Sequence, residues 1–283
     1  MDEIKKKLDK ENKLSEYVGE DRVVSSIDMK KEYAESHYTE VHFYSRIPTL
    51  DKLIDGFEGG ELIVISGPTK NGKTTFAQTL TKNFESQKVN SLWFSFEVPA
   101  KLLFKKFATA EKFYLPRRLY DKRLDWLEDR IIESKIKYQT KAVFIDHLHY
   151  LVDIEKIKNS SIDIGSVIRK LKIIAIEQNI VIFLLAHTTK IKFEEVPSEE
   201  NVRDSSFIPQ EADSTIMIWR QRSKNKKTRA YEETGKTMLL VSNHRRTGVM
   251  SKSVELRFKD NLLFENTGDN QMQFNGKETE IEL

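Results

Sequence analysis

Between residues 62 and 186 the chain alternates two hydrophobic patterns. Nearly continuous apolar runs occupy 62–66, 91–96, 142–145 and 180–186, and amphipathic stretches at helical spacing fill 73–86, 100–113, 120–137 and 162–178. Runs without a polar face suit strands buried on both sides, and the helices between them supply the crossovers. The pattern predicts an α/β fold with a mostly parallel central sheet and helices on both faces. After about Asp213 the helical pattern stops. Strands at 214–220, 237–243, 251–259 and 262–265 follow, read as an antiparallel C-terminal extension of the same sheet.

The first 45 residues differ. Met1 to Val18 reads as a highly charged helix whose apolar stripe (Ile4, Leu8, Leu14, Val18) is too thin to build a core. A second helical pattern covers Ser26 to Ser36. This segment is either a solvated tail or an arm that docks on a neighbouring subunit. The expected organisation is a charged helical arm or linker over 1–42, one α/β domain over 43–266 and a polar tail over 267–283.

A hydrophobic content of 39% against 32% charged residues suits a globular protein with a well-solvated surface. With no cysteine, disulfides, thiolate metal sites and cysteine nucleophiles are excluded, which fits a reducing cytoplasm. No apolar run reaches the length of a membrane span, so no membrane partner is expected. A net charge of +3 is too small to argue for a nucleic-acid partner by itself, leaving that to local patches such as 222–229.

The chemistry begins behind the first apolar run. Gly67-Pro68-Thr69-Lys70-Asn71-Gly72-Lys73-Thr74-Thr75 fits G-x-x-x-x-G-K-[ST], set between a buried strand and an amphipathic helix. In such a turn backbone N–H groups and a helix N-terminus converge on a triphosphate. Lys73 reaches its β- and γ-phosphates and the Thr74 hydroxyl ligates Mg²⁺. A nucleoside triphosphate with Mg²⁺ is therefore the expected ligand.

In an open parallel sheet ligands bind at the carboxyl ends of the strands, so the residues just past each strand matter. Glu97 follows the second strand, one strand from the loop, where it can polarise the attacking water; the plainer reading is a carboxylate serving a helix N-terminus ahead of Pro99. Asp146 follows the third strand and suits an anchor for Mg²⁺ and its waters. The run Asp146-His147-Leu148-His149 invites a metal reading, set aside because alternate strand-end residues face opposite sides and no further ligands are visible. His187 follows the fourth strand and suits a γ-phosphate sensor. In the polar stretch 193–206, Arg203 with Ser205 and Ser206 could grip phosphates. Arg245 and Arg246, at a strand end far from the loop, suggest a finger acting in trans on a neighbour's nucleotide.

Taken in order, these segments resemble the RecA-like motor domain of DnaB-type replicative helicases. Residues 47–56 with 60–63 are similar to the family's segment before the phosphate loop, 94–99 to its catalytic-glutamate motif and 144–150 to its Walker B strand. Residues 201–213 resemble its loop for single-stranded DNA, and 241–248 its arginine-finger motif. The resemblance implies a P-loop ATPase that binds ATP and Mg²⁺ and assembles as a homo-hexamer with Arg245 as trans finger. It also implies movement on single-stranded DNA, gripped by Arg203, Asp204 and Ser206, with unwinding in the 5′→3′ direction. Family members usually carry a further N-terminal helical domain for primase contact, so a primase or a separate helicase-associated protein is a possible partner. The chain departs from the family in a short interval between Glu97 and Asp146, in Asn243 where a lysine is usual, and in His187 where bacterial members commonly carry glutamine. The short interval is closer to RecA or RadA recombinases, leaving a RecA-, RadA- or KaiC-like ATPase without unwinding as the alternative.

Overall fold

The computed structural model describes residues 2–19, 21–35, 40–107, 112–119, 123–151, 160–189, 195–202, 207–224 and 231–265. Arg203, Asp204, Ser205 and Ser206, the basic tip at 225–229 and the tail from 266 lie outside the described residues. The chain divides into two units, Met1–Glu40 and Val41–Leu283.

In the first unit helix α1 spans Asp2–Ser15 and α2 spans Ser26–Glu35. The described side chains of α2 are all solvent-facing. Local bonds hold this segment: Ser25 Oγ accepts the Asp28 amide at 3.1 Å, an N-cap contact, and Arg22 pairs with Glu32 at 3.2 Å.

In the second unit the elements run β1 (His42–Phe43), α3 (Pro48–Ile54), β2 (Phe57–Glu58), β3 (Leu62–Gly67), α4 (Lys73–Glu85) and β4 (Asn90–Ser95). Then come α5 (Ala100–Lys106), α6 (Leu124–Tyr138), β5 (Thr140–Asp146), α7 (Ser160–Gln178), β6 (Val181–His187) and α8 (Phe207–Glu211). Strands β7 (Ser214–Lys224), β8 (Tyr231–His244), β9 (Met250–Lys259) and β10 (Leu262–Glu265) close the sequence. Eight strands form one sheet in the order β10-β9-β8-β7-β3-β6-β5-β4.

The alternation of side chains along β3 separates two cores. Ile63 and Ile65 pack with Phe76, Leu80 and Phe84 of α4 and with Leu50 and Ile54 of α3. Leu62 and Val64 face the opposite side, against Leu127 and Ile131 of α6 and Ile168, Leu171 and Ile174 of α7. Helices thus cover both faces, which is why the parallel strands carry no polar face.

Three expectations are corrected. Strand β7 pairs parallel with β3, so the antiparallel extension begins only at β8. The crossover from β6 returns the chain to the amino end of β3, where Leu62 N donates to Asp213 Oδ2 at 2.8 Å and Asp213 N to Leu62 O at 2.9 Å. The helix expected over 100–113 ends at Lys106, and Tyr114 instead bridges Leu92 in extended form. β4 is the last strand on its side of the sheet, and Tyr114 covers its outer edge through Trp93 N to Tyr114 O and Tyr114 N to Ser91 O, both 2.8 Å. Finally, Glu97 is not one strand from the phosphate loop, because β6 and β5 lie between β4 and β3.

Candidate active site

Strand β3 sits between β6 and β7, and its carboxyl end feeds directly into the loop at 67–72 and then α4. Lys70 (φ 63) and Gly72 (φ 103) take left-handed backbone conformations, which turn successive amides toward a common concavity. A Cβ at Gly72 would meet nothing within 4 Å, so the cradle is open. The first turn of α4 carries no acidic residue, leaving the positive end of its dipole facing the loop. Asn71 ties the loop to β7, its Oδ1 accepting the Arg220 amide at 2.9 Å.

Gly67 has a structural duty as well. It lies beside β7 with φ 154, and a Cβ there would come within 2.0 Å of the Ile218 carbonyl oxygen. Gly67→Ala is expected to lower the thermal midpoint by several degrees, the shift that roughly 1–3 kcal/mol of strain produces in a domain of this size. An unchanged midpoint in scanning calorimetry would remove this close-approach argument.

The Lys73 ammonium donates to the carbonyls of Gly67 at 2.8 Å and Pro68 at 3.1 Å. Burial pushes its amine down to about 8, while Asp146 and Glu97 pull it back up. A desolvated cation beside an open amide cradle suits a polyphosphate, whose charge would favour the protonated amine. Thr74 Oγ1 donates to Asp146 Oδ2 at 3.1 Å, so the hydroxyl and carboxylate expected to serve Mg²⁺ stand side by side. Asp146 itself is buried at the last position of β5. The residues present fit a magnesium–nucleotide complex.

His187 ends β6 directly opposite Gly67 in the parallel register. Glu97 reaches the same region from the sheet edge. Its Oε2 lies 3.1 Å from His147 Nδ1 and 4.0 Å from His187 Nε2. Sequence reasoning missed this meeting. Among the described residues, ligand-type atoms of Glu97, His147 and His187 all lie within 4.8 Å of one another, a grouping that differs from the Asp-His-x-His run considered from sequence. Three segments far apart in the chain contribute one residue each, so no spacing could reveal it.

The paired arginines separate. Arg246 turns inward, bonding Glu61 at 3.0 Å, Glu58 at 3.0 Å and the carbonyls of Ile54 and Gly56 at 3.0 and 2.9 Å. Arg245 turns outward with its side chain 56% exposed, near Asp213 Oδ1 at 3.4 Å and donating to Gln210 O at 3.0 Å. The turn carrying it is fastened by His244, whose Nδ1 lies 3.0 Å from the Thr247 hydroxyl. Burial, helped by Arg246, pushes the His244 imidazole down to about 4 and so keeps it neutral. Because Arg245 N bonds Asp213 O beside Leu62, this arginine lies at the amino end of β3. At about 3.3 Å per residue, six strand residues place it roughly 20 Å from its own phosphate loop. Among the described residues no helix is long and apolar enough to cross a membrane.

A family model for the DnaB-like helicase C terminal domain matches residues 43–128 and 122–266. A probable replicative DNA helicase of Trieres chinensis is 25% identical over 273 residues, covering 84% of this chain and 60% of that protein. The replicative DNA helicase DnaB of Treponema pallidum is 24% identical over 244 residues, covering 75% of this chain and 53% of that protein. The chain therefore spans only part of the length of the curated relatives it matches. Among solved structures, a DnaB-like replicative helicase described with its primase interactions superposes with a TM-score of 0.68 at 18% identity, covering 87% of this chain and 68% of that one. A KaiC-like protein from Pyrococcus horikoshii gives 0.59 at 20% identity, covering 80% and 99%. These likenesses place the fold among RecA-like ATPase domains. With the family model running through the α/β unit almost from end to end, the chain belongs to the DnaB-like helicase C-terminal domain family.

Proposed function

We propose that this chain hydrolyses ATP to move along single-stranded DNA and unwind duplex ahead of it, as one subunit of a homo-hexameric ring travelling 5′→3′. The observation that carries this reading is the division of catalytic parts between the two ends of the sheet. Lys73, Thr74, Asp146, Glu97 and His187 gather at the carboxyl ends of the strands, whereas Arg245 stands exposed at the amino end. An arginine that cannot reach its own site is available to a neighbour's.

In this mechanism the loop of residues 67–75 cradles the phosphates through its backbone N–H groups, Pro68 having none to give, and Lys73 balances their charge. Thr74 and, through water, Asp146 would hold Mg²⁺, which would supply charge neutralisation at the phosphates. Glu97 orients the attacking water and accepts its proton. His187 contacts the γ-phosphate, and Arg245 stabilises charge developing in the adjacent subunit's site.

Both borders of the DNA loop touch this machinery. Just past His187, Thr188 bridges Val202 and Thr189 N donates to Asn201 O at 2.8 Å, immediately before Arg203. On the far side of the loop, the Gln210 carbonyl holds Arg245. Arg203, Asp204 and Ser206 are the DNA contacts this reading proposes. A primase or a separate helicase-associated protein is the further partner this reading proposes.

Steady-state turnover measured with and without single-stranded oligonucleotide tests the reading. Turnover should rise on adding DNA, and Arg203→Ala should blunt that rise by weakening DNA affinity while nucleotide affinity stays unchanged. No stimulation by DNA would sink the translocation reading, and equal loss of both affinities would remove Arg203 from the DNA contacts. The short interval between Glu97 and Asp146 favours a second reading, a RecA-, RadA- or KaiC-like ATPase acting in recombination or regulation. DNA-stimulated turnover that leaves a 5′-tailed fork paired would favour it.

A further inference from the structure

Glu97 occupies an unpromising place for a catalytic base. It follows β4, the outermost parallel strand, and its side chain is 41% exposed. A carboxylate so placed has rotamer freedom to lose before it can orient a water molecule. Its backbone is already drawn inward, because the amides of Phe96 and Glu97 both donate to Asp146 O, at 2.8 and 3.2 Å. His147 then engages the side chain at 3.1 Å. An ionised carboxylate can only accept, so in this contact Nδ1 carries the proton.

The imidazole of His147 is itself well fixed. It is buried, and its ring meets Tyr150 edge-to-face at 5.0 Å and His187 at 4.3 Å. Tyr150 in turn stacks with Phe96, the residue preceding Glu97, at 6.3 Å. One buried ring therefore touches both the hydrolytic carboxylate and the phosphate-sensing histidine, and it follows directly after Asp146.

We propose that His147 is a positioning residue for hydrolysis. Its Nδ1–H holds Glu97 Oε2 and leaves Oε1 for the attacking water, and its ring sets the separation between Glu97 and His187. This inference rests on reading Glu97 as the base. A charge-assisted hydrogen bond from a buried donor suits the task, because a misplacement of about 1 Å can cost on the order of 10²-fold in rate.

The test uses the full chain with single-stranded DNA, measuring kcat, KM for ATP and nucleotide affinity for three variants at this position. His147→Ala should lower kcat by roughly 10- to 100-fold, with KM and nucleotide affinity changed by less than about twofold. His147→Asn places an amide N–H near the Nδ1 position and should restore most of the rate, whereas His147→Gln, which reaches the Nε2 position, should not. Loss of kcat together with nucleotide affinity in both the Ala and Asn variants would show a merely structural role and overturn the proposal. If Glu97→Gln abolishes turnover while His147→Ala leaves it intact, the positioning role fails and the base reading survives. If Glu97→Gln retains full turnover, the base reading fails and this inference with it.

Discussion

Arg245→Ala should reduce DNA-stimulated ATP turnover by roughly 10³- to 10⁵-fold, the range a trans-acting arginine typically contributes, while nucleotide affinity of each subunit is unchanged. The separation of effects follows from position. Arg245 lies about 20 Å from its own phosphate loop along the sheet, so its loss cannot disturb that subunit's cradle. Among the described residues its side chain meets Asp213 Oδ1 at 3.4 Å and the Gln210 carbonyl at 3.0 Å, and more than half of it stays exposed. Mixing supplies the decisive measurement. Arg245→Ala and Lys73→Ala chains should each be nearly inactive alone, yet mixed assemblies should regain part of the rate, because an intact Arg245 can then face an intact Lys73. Wild-type turnover by Arg245→Ala, or no recovery on mixing two folded inactive variants, would refute a shared site. Replacement of Arg246 should differ in kind, since its bonds to Glu61, Glu58 and the carbonyls around Gly56 serve folding.

Glu97→Gln should lower the hydrolytic rate by about 10²- to 10⁴-fold with ATP affinity retained, the effect of removing a general base without removing its shape. Glutamine still offers a carbonyl oxygen to His147 Nδ1, so the side chain stays near its place and only proton acceptance is lost. Single-turnover hydrolysis beside a nucleotide titration checks this. Loss of affinity parallel to the loss of rate would instead assign Glu97 to binding, and an unchanged rate would remove it from the chemistry.

How much of this site was legible along the chain depends on how its parts are distributed. The phosphate-loop motif is local, and its strand, turn and helix are consecutive, so the place of residues 67–75 was legible directly. Asp146 and His187 were legible because apolar runs end at them, and parallel strands present their carboxyl ends on one side. The helix starting at residue 100 was expected to run to 113 because the apolar spacing matches a helical face, whereas it ends at Lys106 and Tyr114 pairs in extended form with the edge of β4. Strand β7 was assigned the wrong direction because pairing direction depends on the path of a crossover, which no local pattern encodes.

By itself the sequence determined the α/β class, the two-faced burial of the sheet and the strand, turn and helix around residues 67–75, since each follows from local periodicity or contiguous residues. Only the tertiary structure decided which partners those residues meet. Strand order put Glu97 at the sheet edge and gave it His147 as a buried neighbour. The turn after β8 sent Arg246 into a carboxylate-and-carbonyl cage and left Arg245 facing outward. The physical reason is the same in both cases. Side-chain direction at a strand end is set by contacts with segments distant in sequence, and the spacing of residues along one segment carries no record of them.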